Sequence, residues 1–193
     1  MTSDIKHSSA EAKPSCIEVE QTRQWLEHII IALNFCPFAK KEFVNQTIHY
    51  HVSDAEQIKS AMKELLLQCQ YLHGNSLLET SLLIYRQGFR DFNRFLDLVD
   101  YANDLLIEQG FEGVFQIATF HPEYCFADVD YDDVGNFTNR SPYPTLHLIR
   151  EESMERVLKV YKDPESIPEN NIKLAHEKGA DYFIALLRHI KNN

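Results

Sequence analysis

Four short apolar runs separated by longer amphipathic ones limit this chain to a few architectures. "TIHYHV" (Thr47 to Val52) alternates strictly, with Ile48, Tyr50 and Val52 on one face and His49 and His51 on the other. "TSLLIY" (Thr80 to Tyr85), "VFQIATF" (Val114 to Phe120) and "TLHLIR" (Thr145 to Arg150) supply three further strands. Between the first three lie helical stripes. One is Ile58, Met62, Leu65, Leu66 and Cys69, preceded by Ser53 and Glu56 at capping-box spacing. The other is Phe92, Phe95, Leu96, Val99, Ala102 and Leu106, capped by Asp91 and closed just before Gly110. An earlier helix opens at "SCIE", carries Trp25, Ile29, Ala32, Leu33 and Cys36 at helical spacing, and should end before Pro37. A short helix around Glu152 to Tyr161 and a helical tail from Pro168 to about Ile190, broken at Gly179, complete the order.

Helices between strands imply crossover connections, and so parallel pairing for the first three strands. The fourth arrives without a helix and is expected to run antiparallel. The expected fold is a small α/β sandwich with a mostly parallel sheet of about four strands and flanking helices. Residues 1–14 read as a flexible lead, and residues 15–193 as a single α/β domain.

Charge narrows the partners. Nineteen basic residues face 29 acidic ones, a net charge of −10, which repels phosphate backbones and anionic membranes. Neither nucleic acid nor a membrane is an expected partner. No run approaches the ~18 apolar residues of a membrane span, and the lead has no apolar signal region. The cysteines, Cys16, Cys36, Cys69 and Cys125, are widely spaced without a CxxC pair, which reads as reduced thiols in a cytoplasmic protein.

The segment from His121 to Pro144 is the irregular one. It carries acids, aromatics, prolines and one arginine without a steady period. Loops of this length in compact domains are usually functional or disordered. It starts at the carboxyl end of the third strand, on the rim where open parallel sheets bind ligands. His121, stiffened by Pro122, is a candidate proton-transfer residue; a histidine closing a strand end by ordinary hydrogen bonds is the structural alternative. Arg140, held between Pro142, Pro144 and the loop acids, suits bidentate capture of a carboxylate or phosphate, with Asn139 and Ser141 adding neutral hydrogen bonds. Its structural alternative is a staple to Asp128, Asp130, Asp132 or Asp133. Cys36 is an outside candidate for covalent chemistry, but it continues an apolar stripe and falls at a helix C-terminus, where the dipole does not favour a thiolate. A structural cysteine is the favoured reading.

No metal site is assigned; the acids from Asp128 to Asp133 read as a solvated loop, with magnesium or another hard cation, helped by a phosphate, as the alternative. Asp128, Asp130 and Asp132 match the first ligands of a calcium loop, but Asp133 stands at the glycine position and Asn139 at the closing glutamate. His49 and His51 share a strand face without a third ligand at recognisable spacing. His147 shares a face with Thr145 and Ile149 and could approach the same rim if its strand lies near the third. Arg86 and Arg90 read equally as anion contacts or surface charges. No P-loop, GxGxxG or GxSxG motif is present, and no cofactor is assigned.

Three segments together resemble one family: "IALNFCPFAK" (Ile31 to Lys40), "FQIATFHPEYCFAD" (Phe115 to Asp128) and "NFTNRSPYPTLHLIRE" (Asn136 to Glu151). The set is similar to the largely bacterial proteins catalogued as domain of unknown function 1415, over about residues 17 to 180. The resemblance implies a cytoplasmic bacterial protein of one domain. It brings no catalytic assignment, and places Asn34, Cys36, Pro37, Phe38, His121, Pro122, Asn139, Arg140, Ser141 and Pro142 in the signature segments. Two functions follow as expectations. The first is an enzyme or enzyme-like protein acting on a small anionic substrate, with His121 and Cys36 as catalytic candidates and Arg140, Asn139, Ser141 and Asn34 as substrate contacts. The alternative is a non-catalytic module binding a protein or metabolite through the aromatic-rich loop 121–144.

Overall fold

The computed structural model describes residues 16–159 and 161–192. Chain order is α1 (Ile17–Trp25), a π-helical segment (Leu26–Ile31), α2 (Ala39–Asn45), β1 (Ile48–Ser53), α3 (Ile58–Gly74), β2 (Thr80–Tyr85), α4 (Phe92–Glu108), β3 (Phe115–Phe120), a 3-10 turn (Val134–Thr138), β4 (Thr145–Arg150), α5 (Glu151–Leu158), a 3-10 turn (Pro164–Ser166), α6 (Ile167–Lys178) and α7 (Ala180–Asn192). The expected flexible lead and the Ser15 cap lie outside the described residues.

The class is α/β, but the sheet is mixed rather than mostly parallel. Its order is β1-β2-β4-β3. Only β1 and β2 pair in parallel; β4 pairs antiparallel with both β2 and β3. The three strands separated by helices do run the same way. What breaks the expected pairing is β4, which turns back through the long loop and enters the slot between β2 and β3. Composition agrees with position: all six residues of central β2 are buried, whereas edge strand β1 is half-buried along most of its length.

Alternation along β2 sends side chains to two cores. Leu83 and Tyr85 face α3 and α4, meeting Leu65, Cys69, Phe95 and Leu98. Leu82 and Ile84 face α1, the π segment, α6 and α7, meeting Trp25, Ile29, Phe137 and Phe183. Each fully buried side chain of this size contributes about 1.5–3 kcal/mol.

Several local expectations shift. The first helix ends at Ile31, not at Pro37, because its second half is π-helical: the amide of Ala32 donates to Glu27 and that of Phe35 to Ile30. The extra residue per turn rotates the stripe, so Leu26 and Ile30 are buried while Ala32 is exposed. Asn34, at φ 55°, closes the segment in the left-handed conformation that asparagine tolerates. Helix α2 has no buried residue and gave no stripe to read. The Ser53–Glu56 capping box does not form: Ser53 ends β1 and its Oγ accepts from the Ala55 amide, while α3 starts at Ile58. On α4 the buried residue is Leu98, and Leu96 is exposed. Asp91 caps α4 as expected, accepting from the Arg94 amide at 2.9 Å. The tail breaks at Gly179, whose φ is 81°.

Gly88, after β2, is fixed by space. A Cβ there would sit 2.1 Å from the Ala55 carbonyl oxygen. Gly88→Ala is expected to cost about 2 kcal/mol, since the clash is with backbone that must move. Urea unfolding measures it, and an unchanged midpoint would show that the two loops separate freely.

Candidate functional site

The irregular loop does fold onto the carboxyl rim. The His121 amide donates to Asn139 and the Ser141 amide to His121, so the β3/β4 ladder continues past the strand ends. The Tyr85 amide donates to Pro144 at 2.9 Å, and Lys191 Nζ donates to Pro142 at 3.1 Å. Fully buried Asn136 ties the middle together. Its Oδ1 accepts from the Phe126 amide, and its Nδ2 donates to the carbonyls of Asp130 and Tyr131.

Arg140 points inward. Its Nε donates to the Tyr124 carbonyl at 3.1 Å and its Nη2 to the Tyr131 carbonyl at 2.7 Å. The guanidinium lies 4.7 Å from the Tyr131 ring centroid and 4.6 Å from that of Phe137. It pairs with none of Asp128, Asp130, Asp132 or Asp133 among the described residues. Its own carbonyl accepts from Trp25 Nε1 at 3.0 Å, linking loop to core. Ser141 donates to the Tyr143 carbonyl, and Asn139 Nδ2 to that of Thr119.

His121 is fully buried against the rings of Phe92 and Phe95. Its Nδ1 faces the Glu123 amide, which can only donate, and its Nε2 faces the Phe89 carbonyl, which can only accept. These partners fix the neutral Nε2–H tautomer. Burial lowers its pKa further below the usual histidine range, against the weaker opposing pull of the Phe89 carbonyl.

His121, Asn139, Arg140 and Ser141 are therefore neighbours. Cys36 and Asn34 are elsewhere; Asn34 is exposed at the end of the π segment. Of the other cations on this rim, Arg86 holds Asp54 with two bonds of 2.5 and 2.7 Å, and Arg90 reaches the Arg86 carbonyl at 3.4 Å.

Cys36 lines a cleft at the opposite rim. Three strands contribute the floor. The register aligns Ile48 with Thr80 and Thr80 with Ile149, and in a second row Leu82 with His147. Cys36, Phe38 and Glu42, beside and along α2, form one wall; Ser153, Met154 and Val157 of α5 form the other. The cleft has a volume of about 90 Å³ and is mainly apolar. Neither α2 nor α5 buries a residue, and between them Ile48, His147 and Ile149 stay half-buried while Thr80 and Leu82 are buried. A wider vestibule of about 370 Å³ opens onto it, lined by Lys41, Glu42, Glu79, Ser153, Arg156 and Val157.

Its polar groups have defined states. Thr80 Oγ1 donates to the Leu148 carbonyl and so accepts from His147 Nε2, both at 2.5 Å. That makes Nδ1 the unprotonated nitrogen of the neutral ring. Burial pushes the His147 pKa down to about 4, so the ring is neutral at pH 7. Cys36 lies ahead of α2 rather than at a helix C-terminus, because the preceding helix stops early. Burial raises its thiol pKa and outweighs the opposing effect of the Phe38 and Ala39 amides.

Across residues 18–185 the sequence matches the family model described as protein of unknown function, DUF1415. The chain belongs to that family. No curated protein and no solved structure matches it. For this DUF1415 chain, the residues of the cleft that sequence reading passed over are Glu79, Thr80, Ser153 and Arg156. Only their juxtaposition marks them; none carries a motif. Among the described residues, no three His, Cys, Asp or Glu side chains are grouped to hold a metal, and no helix is long and apolar enough to cross a membrane. His51 instead faces Glu64 at 3.1 Å, and His49 lies against the Tyr71 ring.

Proposed function

We propose that this protein binds a small organic molecule in the cleft between α2 and α5, by recognition rather than covalent chemistry. One observation carries the reading: β1, β2 and β4 floor an apolar cleft between α2 and α5 in which Ile48, His147 and Ile149 stay partly exposed. Exposed apolar surface in a concave site with few polar groups is the general form of a ligand pocket. The volume, about 90 Å³, limits the bound body to a branched aliphatic group or a single ring, the scale of cavities that take up benzene. A neutral thiol is a poor nucleophile, and an imidazole neutral down to about pH 4 is a weak base. Both suit binding.

The expectation of an anion site on the carboxyl rim has less support. The side chains of Arg140, Ser141 and His121 already hold the loop together, which favours a structural brace there. Catalysis on a small anion at that rim needs those groups released, and partner binding through the loop aromatics has few exposed rings to use. Tyr131 is the exposed member of the aromatic set, whereas Phe137 is buried.

Met154→Trp, at a residue outside both cores, fills the cleft from the α5 wall. Small branched or single-ring compounds are expected to raise the Tm of the native protein by mass action, and to lose that effect in Met154→Trp. Equal shifts in both proteins, or no shift from any compound of that size, would remove the reading.

A further inference from the structure

The vestibule above the cleft says what kind of head group the ligand carries. We infer that the ligand is a zwitterion, an α-amino acid with an apolar side chain, held by its charged end in the vestibule and by its side chain in the cleft. This rests on the cleft being a binding site, and it adds the chemical class.

The vestibule holds two cations, Lys41 and Arg156, and two carboxylates, Glu42 and Glu79. The Lys41–Glu42 pair is satisfied locally: the two ions are 3.3 Å apart, and Glu42 Oε2 also accepts from Thr47 at 2.5 Å. Glu79 and Arg156 differ. They do not pair directly among the described residues, because the Ser153 hydroxyl stands between them. Ser153 Oγ donates to Glu79 Oε2 at 2.5 Å and accepts from Arg156 Nη2 at 2.9 Å. One carboxylate oxygen and most guanidinium donors are left open, with opposite charges one hydroxyl apart.

An α-amino acid likewise carries an ammonium and a carboxylate close together, on one carbon. The ammonium would sit on Glu79 and the carboxylate on Arg156, with Lys41 as a second cation nearby. Glu79, Ser153 and Val157 line both vestibule and cleft, so a side chain leaving the α-carbon would continue onto Leu82, Ile149 and Met154. Charge balance selects the class. A lone anion meets Glu79 as well as Arg156, and a lone amine meets the reverse. An uncharged head would strip water from both without replacing it. Only a head bearing both charges complements both.

Four probes of equal apolar body separate the possibilities: L-leucine, 4-methylpentanoate, isopentylamine and isopentanol, each titrated by calorimetry and by NMR shifts at the cleft. Leucine is expected to bind at least tenfold tighter than each of the others. Arg156→Ala should bring leucine down to the level of isopentylamine and leave isopentylamine unchanged or tighter. Glu79→Gln should bring it down to the level of 4-methylpentanoate. If either singly charged probe or the alcohol binds as tightly as leucine, the zwitterion assignment falls and the cleft reading stands. If none of the four perturbs the cleft, both fall.

Discussion

Arg140→Ala is expected to lower stability by about 3–5 kcal/mol, the large end of single-substitution effects. The side chain is 8% exposed and has no carboxylate partner among the described residues. Its charge is held by two carbonyls and two ring faces. Truncation leaves the Tyr124 carbonyl without a donor, at about 1–3 kcal/mol where water cannot enter, leaves the Tyr131 carbonyl to Asn136 alone, and deletes two cation–π contacts of about 0.5–2 kcal/mol each. In a protein of this size that corresponds to a Tm loss of roughly 10 °C. Arg140→Lys should recover part of it, because a single ammonium keeps the charge but cannot span both carbonyls with a planar fork. A thermal scan decides. Alanine at 140 with an unchanged Tm would show that the loop is held by Asn136 and the ladder alone, and would return the guanidinium to the anion-binding role.

Acid should unfold this protein earlier than its carboxylates alone would dictate. Three histidines, His49, His121 and His147, have pKa values lowered chiefly by burial, His147 to about 4. In the unfolded chain an imidazole titrates near 6.5. Between those limits the unfolded state binds more protons than the folded one, so stability falls as pH falls. The loss begins near pH 6.5 and, for His147, is complete below about pH 4. That histidine alone contributes up to about 3 kcal/mol across the window. Urea titrations at pH 7 and pH 4.5 give the slope. His147→Gln is expected to flatten it, and an unaltered slope in that variant would mean the ring is solvated enough to titrate normally.

Much of the architecture could be read from the chain because it is written locally. Each strand sits within a residue of its apolar run, Asp91 caps its helix, and Gly179 breaks the tail. The strand order could not be read, because the slot taken by β4 is decided by pairing with β2 and β3, whose residues are far away in sequence. The π segment was hidden since Trp25 and Ile29 satisfy an ordinary helical period as well. The loop's place on the carboxyl rim followed from topology, but the partners of Arg140 did not: backbone carbonyls leave no trace in sequence, whereas the nearby aspartates invited an ion pair. The cleft was least visible. Its floor residues, Ile48, Leu82 and Ile149, look like any core residues, and only the fold shows that Ile48 and Ile149 stay half-buried between two short helices.

The central position of β4 has a consequence for how the chain is made. Until residues 145–150 emerge, β2 and β3 face each other across a vacant slot, each with a row of free amides and carbonyls. Between the emergence of β3 and that of β4, the nascent polypeptide therefore carries two adhesive edges. Sheet closure waits for contacts of long sequence separation, the class that forms slowly and leaves partly folded species prone to aggregate.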